Sequence, residues 1–577
     1  MPISNSDIAG IFDEVADFLE IKGDNPFRVR AYRNASRVVS GLSRGVADLA
    51  AEEKGLEGIP GIGKDLAEKI RTIVTTKRLP FLEALKKEFP PGLGAMLKVR
   101  GLGPKKVAAL HRGLGIGSVE ELKKAAAAGK VRELPGFSVK TERSILEEIE
   151  RAKAIGGGGP GRFKLVQAEE KVAPLLGKLE GAVGVEEIAV AGSFRRRAET
   201  VGDVDILVAA ASSADVMARF VGYDDVVKVL AEGATKSSDV LRGGLQADIR
   251  VVPPESWGAA LHYFTGSKAH NIAVRLMGVK RKLKVNEYGV FRGKKMIAGR
   301  TEEEIYRLFG MPYIEPELRE DRGEIQAALA GKLPRLITLG DLRGDLHAHT
   351  SESDGRFTAL EMAEAAKARG YDYLAITDHS KRVTIARGLD AKRLAGSIKA
   401  IDRINAKLRG FTLLKSVELD ILADGSLDLP DSILDDLDLV VASVHYNFRL
   451  PKEKQTERVI RALDNPRVNI FGHPSGRLIG ERPPYDIDLE KVMRAALERG
   501  CFLELNAHPD RLDLDDVHCK MAKEMGLKLA LSTDAHSADD LDLMRFGIGQ
   551  ARRGWLEADD VINTRPLPEL RKLIRRR

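Results

Sequence analysis

Asp345-Leu346-His347-Ala348-His349 ends an apolar, strand-like run, and five later runs end in the same way. They close on Thr377-Asp378-His379, Val417-Glu418, Val444-His445, Gly472-His473 and Thr533-Asp534-Ala535-His536. A further run, Cys501-Phe502-Leu503-Glu504-Leu505, also ends in polar residues. Counted from Asp345 through Asp378, Glu418, His445, His473 and Glu504 to Asp534, the steps are 33, 40, 27, 28, 31 and 30 residues, each the length of one strand–helix unit. Such units bring their strand ends to one rim of a βα barrel, the face on which these folds carry their chemistry. Imidazole and carboxylate converging there imply a multi-metal site, and with it a metal-dependent hydrolase. His508 and His518 fall off the pattern and read as solvated or structural.

The 577 residues imply three or four domains, and 43% apolar with 31% charged residues fits a globular chain. The opening residues carry Asp7, Asp13, Glu14 and Asp17 rather than a cationic, then apolar, signal segment. No apolar run approaches the roughly 20 residues of a membrane helix. Cys501 and Cys519 are not spaced as a thiolate metal site, so a cytoplasmic location is expected, with metal held by His and carboxylate. Charge is uneven: residues 341–577 hold 38 basic and 40 acidic residues, leaving 54 and 45 of the chain's 92 and 85 to residues 1–340. The basic front is where a polyanion would dock.

Three Gly-containing turns recur in that front, each followed by a helical pattern. They are Ile59-Pro60-Gly61-Ile62-Gly63-Lys64, Val99-Arg100-Gly101-Leu102-Gly103-Pro104-Lys105 and Leu134-Pro135-Gly136-Phe137-Ser138, the third with Ser where the second Gly would stand. Such turns open a helix with free backbone N–H groups, which suits a DNA phosphate, and the lysines add charge without reading sequence. The repeat on a basic segment points to helix-hairpin-helix DNA binding. Gly156-Gly157-Gly158-Gly159-Pro160 reads as a hinge.

Strand-like segments follow. Gly192-Ser193-Phe194-Arg195-Arg196 precedes Asp203-Val204-Asp205, whose two carboxylates share one strand face, and Asp248 in Ala247-Asp248-Ile249-Arg250 can join them from another strand. Carboxylates crowded in this way repel unless divalent cations lie between them, and two bridged metals suit nucleotidyl transfer. Ser193 and Arg196 are placed to hold a triphosphate.

These residues, with Gly202, Tyr263-Phe264-Thr265-Gly266-Ser267 and Val285-Asn286-Glu287-Tyr288, resemble DNA polymerase beta and the other family X polymerases. By that resemblance Asp203 and Asp205 hold two Mg²⁺ or Mn²⁺ ions, and Asp248 helps deprotonate the primer 3′-hydroxyl. Ser193, Arg196 and Gly202 match triphosphate positions, and Tyr263, Phe264 and Gly266 match the segment that excludes ribonucleotides. Asn271 and Arg275 match positions beside the base pair. Lys268 stands where the eukaryotic enzyme is acidic. The front resembles the same family's lyase domain at Arg30-Ala31-Tyr32-Arg33 and Gly61-Ile62-Gly63-Lys64-Asp65-Leu66-Ala67-Glu68-Lys69-Ile70. Lys69 matches its Schiff-base amine. Tyr32, Arg33, Gly61, Gly63, Lys64, Gly101, Gly103 and Lys105 are the expected DNA contacts, with Lys64 and Arg33 at a 5′-phosphate.

The C-terminal pattern resembles the PHP (polymerase and histidinol phosphatase) family, a distorted seven-stranded βα barrel with a trinuclear centre. Its nine ligand positions are matched by His347, His349, Asp354, His379, Glu418, His445, His473, Asp534 and His536. Two to three Mn²⁺ or Zn²⁺ ions are implied there, with Asp378 or His445 alternatively in supporting or proton-transfer roles. The order of the two resemblances is that of bacterial and archaeal family X polymerases, which implies gap filling in base excision repair, 3′–5′ trimming and, in some members, abasic-site incision. The expected layout is multidomain α+β and α/β. A lyase-like domain spans 1–82, a second helical subdomain 83–155, a nucleotidyltransferase palm 160–260, a thumb 261–320, a linker 321–340 and the PHP domain 341–577. A monomer acting on gapped, 5′-phosphorylated DNA and dNTPs is expected. Two alternatives make the barrel a purely structural metal module or a small-molecule phosphatase.

Overall fold

A computed structural model describes residues 5–575 apart from 43–44, 53–54, 60, 98, 100 and 155–160, so the expected Gly156–Pro160 hinge lies outside the described residues. The chain divides into two compact units, residues 1–162 and 163–577.

The first unit is helical. Helix α1 (Asn5–Lys22) packs on α2 (Pro26–Ser40), which the Asn25 side chain caps by accepting from the Phe27 N–H, with Pro26 at the first helical position. One apolar cluster joins Ile8, Phe12, Leu19, Val39, Ile70 and Ile73. A second joins Leu93, Val107, Leu110, Leu122, Val131 and Ile145. Helices α3 (Lys64–Thr76), α4 (Pro104–Leu114) and α5 (Val139–Ala154) each follow one of the Gly turns.

The second unit opens with a five-stranded sheet made of β1 (Val185–Val190), β2 (Asp203–Ala210), β3 (Val226–Glu232), β4 (Lys236–Leu241) and β5 (Gln246–Val252), in the spatial order β1-β2-β5-β4-β3. Only β2 and β5 run parallel. Strand β2 lies inside the sheet and is buried from Ile206 to Ala210, as its unbroken apolar run requires. The short helix α6 (Gly192–Arg195) turns the chain between β1 and β2. Helices α7 (Trp257–Thr265) and α8 (Lys268–Lys280) precede a three-stranded antiparallel sheet within residues 284–298.

Residues 321–340 do not form the expected free linker. They contain the helix Glu324–Leu329, and Ile325, Ala328, Leu336 and Ile337 are buried. The fully buried Glu324 carboxylate contacts His270 at 2.7 Å and accepts the Asp321 and Arg322 N–H groups. A buried acid with that many partners makes the segment part of the core.

Seven parallel strands follow in sequence order: β6 (Gly344–Ala348), β7 (Tyr373–Ile376), β8 (Thr412–Asp420), β9 (Leu439–Ser443), β10 (Ile470–Phe471), β11 (Phe502–Asn506) and β12 (Leu529–Ser532). First and last meet where Ala348 bridges Ala535 and the His349 N–H donates to the Ala535 carbonyl at 2.8 Å. Leu346, Tyr373, Leu414, Leu439, Phe502 and Ala530 pack with Ile562, Leu570 and Ile574, so the C-terminal segment plugs one end of the barrel. The other end carries the polar run-ends. Helix α9 (Met544–Arg553) leaves that rim just after His536. Among the described residues no helix is long and apolar enough to cross a membrane.

Candidate active sites

The sheet register sets the first site. Asp205 and Asp248 are partners across the β2–β5 ladder, with Asp203 two residues earlier on β2. Burial, then the charges of Asp203 and Asp248, push the Asp205 carboxyl up to about 7, while Arg196 and Arg250 pull it down. That is the crowding expected of a cation-seeking group. The Gln246 amide donates to Asp248, 3.1 Å from either oxygen, a partner the motif does not reveal. Gly192, at φ +61°, allows the close approach of Asp205, whose carboxylate oxygen would lie 2.5 Å from any added Cβ. Asp205, Asp248, Lys236, Gln246, Arg250 and Phe264 line a groove of about 320 Å³.

Arg196 donates from Nε to Glu320 at 3.0 Å and from Nη1 to the Thr265 carbonyl at 2.6 Å. Neighbouring Arg195 is structural: it binds Glu302 through two N–H groups and reaches the Thr265 hydroxyl. Ser193, Gly202, Tyr263 and Phe264 are partly exposed, and Gly266 is buried. Phe264 lies beneath the Arg250 guanidinium and Tyr263 beneath that of Arg275. Asn271 donates to the Tyr263 carbonyl at 2.7 Å and keeps a buried Oδ1 without a hydrogen bond.

The barrel rim gathers its donors more tightly. Three overlapping groups have ligand atoms within 4.8 Å of one another: His349, Asp354, His379 and His536; His347, His349 and Asp534; and His379, Glu418 and His445. Every expected ligand is in a group except His473, whose Nε2 lies 2.9 Å from Glu418. The palm carboxylates form no such group. The donor set fits divalent cations: His347 Nε2, His349 Nδ1, His379 Nδ1, His445 Nδ1 and Glu418 Oε2 are buried and make no hydrogen bond. His379 Nδ1 and Glu418 Oε2 stand 2.7 Å apart with neither satisfied, as two donors to one ion would. His473 and Asp534 also hold left-handed backbone, φ +27° and +57°, which side chains other than Gly adopt at a cost of about 1–3 kcal/mol.

Charge balance points the same way. Burial would lower the His379 and His536 imidazoles, yet Glu418, Asp354 and Asp534 push them up to about 10 and about 9. Burial and its histidine neighbours lower His349 to about 4. Glu418 and Asp534 are held well below the carboxylate range by the surrounding histidines, against their burial. Behind the ligands stands an acidic layer. Fully buried Glu504 contacts His347 Nδ1 at 2.7 Å and accepts the His473 N–H at 2.6 Å. Asp420 accepts the His445 N–H at 3.2 Å, and Asp378 accepts from Thr350 and Ser353 in the loop that leads to Asp354. Glu504 was legible as a run-end 31 residues after His473, but nothing local assigned it a role. His508 and His518 make local contacts with Asp510 and Asp515.

In the helical unit the glycines of the first two turns take matching backbone conformations. Gly61 and Gly101 take φ +94° and +82°, and Gly63 and Gly103 begin α3 and α4 with no side-chain cap. In the third, the Ser138 hydroxyl accepts the Thr141 N–H and so occupies the helix end itself. Lys64 and Lys105 are exposed. Two expectations change. Tyr32 is 2% exposed and stacks on Phe81 inside the core, so it packs rather than touching DNA. Arg33 is engaged by Asp13, Asp17 and Glu20, which offsets its charge toward a phosphate. Lys69 is ion-paired with Asp65.

Family models match in the same order: a helix-hairpin-helix domain over residues 3–79, a SAM-like helix-hairpin-helix tandem over 93–151, a DNA polymerase beta thumb over 260–320 and a PHP domain over 345–508. The DNA polymerase/3′-5′ exonuclease PolX of Bacillus subtilis is 38% identical over 574 residues, 99% of each chain. A probable phosphatase of Thermoanaerobacter sp. is 34% identical over 231 residues, 38% of this chain and 89% of its own. A probable phosphatase of Caldanaerobacter subterraneus is 35% identical over 208 residues, 34% of this chain and 77% of its own. With a full-length match to a polymerase–exonuclease and both clusters of acidic and imidazole side chains in place, the chain belongs to the PolX branch of the family X DNA polymerases, those that end in a PHP domain.

Proposed function

We propose that this chain is a DNA-directed DNA polymerase that fills short gaps during repair and trims 3′ ends at its barrel, acting on DNA and dNTPs with divalent metal ions. The observation that carries the reading is that one chain holds two separate constellations: Asp203, Asp205 and Asp248 on paired strands, and eight grouped His and carboxylate side chains, with His473 beside Glu418, on the barrel rim.

In the palm, Arg196, Ser193 and Gly202 receive the triphosphate. Asp248 accepts the proton of the primer 3′-hydroxyl, and Tyr263, Phe264 and Gly266 crowd the sugar 2′ position. Asn271 Oδ1 and Arg275 face the base pair. Bound divalent ions, two at the palm (Mg²⁺ or Mn²⁺) and two to three at the rim (Mn²⁺ or Zn²⁺), neutralise phosphate charge and supply hydroxide near neutral pH. At the rim, Glu504 holds His347 in orientation through Nδ1, and Asp420 fixes the backbone of His445 by accepting its main-chain N–H. The uncapped α3 and α4 N-termini with Lys64 and Lys105 grip the DNA backbone, Lys64 nearest a 5′-phosphate. Lys69 is engaged by the Asp65 carboxylate, and an amine occupied in this way is not free to attack a sugar, which disfavours lyase chemistry in the free protein.

One gapped, 5′-phosphorylated substrate, assayed with and without dNTPs in Mg²⁺ and in Mn²⁺, tests this. Asp205→Ala should cut extension at least about 10³-fold and leave trimming measurable, and His347→Ala should do the reverse. Loss of both activities in both variants, with folding intact, would end the two-site reading. The probable phosphatases matched by the barrel favour a second reading, a small-molecule phosphomonoesterase. Faster turnover of phosphomonoesters than of DNA 3′ ends would select it.

A further inference from the structure

Arg553 is the last residue of α9, which follows the barrel strands, yet its side chain reaches the backbone of Arg196. Its Nη1 donates to the Arg196 carbonyl at 2.9 Å and to Glu320 Oε1 at 2.9 Å. Arg196 Nε donates to the same Glu320 oxygen at 3.0 Å. Arg553 Nη2 donates to Asp516 Oδ2 at 2.7 Å, an atom that also accepts from Arg322 at 2.9 Å. The charges therefore alternate from Arg196 through Glu320, Arg553 and Asp516 to Arg322. The Arg553 side chain is 10% exposed and that of Glu320 18%. Burial would raise the Glu320 carboxyl, but Arg553 and Arg196 hold it below its usual range.

The barrel fixes where Arg553 sits. A Cβ on Gly547 of α9 would come within 2.6 Å of Ala507 and Leu531, and one on Gly549 within 3.2 Å of Arg197. The helix is thus wedged between the barrel and the residue that follows Arg196. Arg197 itself has left-handed backbone, φ +56°, and its side chain lies over the Phe546 ring of α9. These contacts confine the Arg196 backbone from below while Thr265 and Glu320 confine its side chain.

We infer that Arg553 is a positioning residue for nucleotide binding: it shares Glu320 with Arg196 and anchors the Arg196 carbonyl, so that one Nη of Arg196 is left for the triphosphate. The inference rests on Arg196 serving the triphosphate. Without Arg553, Glu320 faces Arg196 as its sole cation and can take its guanidinium in a two-point pair, which withdraws the remaining donor from the groove. The Arg196 carbonyl also loses its donor, and Glu320 and Asp516 are left buried with fewer partners.

The test measures kcat and KM for dNTP on gapped DNA, with 3′ trimming and thermal unfolding in parallel, for Arg553→Ala, Arg553→Lys, Arg322→Ala and Arg196→Ala in the full chain. Arg553→Ala should raise the dNTP KM about tenfold or more with a smaller fall in kcat. Arg553→Lys should recover part of it, because an ammonium restores the charge but cannot reach both acids and the carbonyl. Arg322→Ala, which removes another partner of Asp516, should leave KM within about twofold. Trimming should be unchanged in all of them. An unchanged KM in folded Arg553→Ala overturns the inference, as does an equal rise in Arg322→Ala, which would mean general loosening. If Arg553→Ala does not fold, an unchanged KM in Arg553→Lys overturns it equally. An unchanged KM in Arg196→Ala instead removes the triphosphate assignment on which the inference stands.

Discussion

The barrel rim and the palm are both built to hold cations, but they are finished to different degrees. At the rim the donors fall into three overlapping groups whose atoms lie within 4.8 Å of one another, most of them buried and several lacking any hydrogen bond. In the palm three carboxylates share a face, form no such group, and line an open groove. Imidazoles can crowd because they are neutral or exchange protons with neighbouring acids; three carboxylates cannot without added positive charge. On the proposed function, the rim is therefore a site that the protein's own donors complete, whereas the palm is completed by the nucleotide and its ions.

The sharpest consequence is ion retention. After gel filtration without chelator or DNA, the protein should keep its rim ions, while palm ions appear only with gapped DNA and dNTP. Elemental analysis of His379→Ala and Asp205→Ala checks this: the first should lose most of the bound metal and the second almost none. Equal loss in the two would erase the contrast. A smaller effect should follow from Glu504→Gln, which keeps the shape but weakens the acceptor behind His347. Loss of such an outer partner costs about 10–100-fold in metal affinity or activity, so trimming should fall by that factor with extension unchanged. Full trimming activity in Glu504→Gln would show that the acidic layer is packing only.

The same contrast governs how much the sequence disclosed. The rim was legible because every expected ligand but Asp354 sits at the end of an apolar run, and the βα unit sets the spacing of those ends. The palm triad was legible because Asp203 and Asp205 share a strand and Asp248 lies in a second strand-like run, although the direct Asp205–Asp248 pairing is a matter of register that the sequence does not show. Arg553, Gln246 and the packing of 321–340 were not legible. Each depends on a partner far along the chain, Arg553 being 357 residues from Arg196, and such pairings leave no local period. Tyr32 is a related case: it was expected at DNA because its stretch resembles the family's lyase domain, and only the helix packing shows its side chain facing inward.

The smallest effects are in stability, and here two palm-side acids should respond to pH with opposite sign. Glu302 would be raised by burial, but Arg319 and Arg195 hold it down to about 2. Its contribution is present above the unfolded value of about 4.5 and is lost as pH falls from there toward 2. Glu302→Gln should therefore unfold a few °C earlier than the parent at pH 7, with the gap closing in acid. Asp205 is the reverse: its carboxyl is pushed up to about 7 from 3.8, so ionising it costs stability as pH rises through that window. In metal-free protein, Asp205→Asn should unfold later than the parent at pH 7.5 and show no advantage near pH 4. Added Mn²⁺ with DNA and dNTP should remove the advantage, because the ions neutralise the repulsion that the substitution relieves. If Asp205→Asn were no more stable than the parent at pH 7.5 without metal, the carboxylates would not be crowded. The palm would then owe its openness to geometry rather than to charge awaiting its ions.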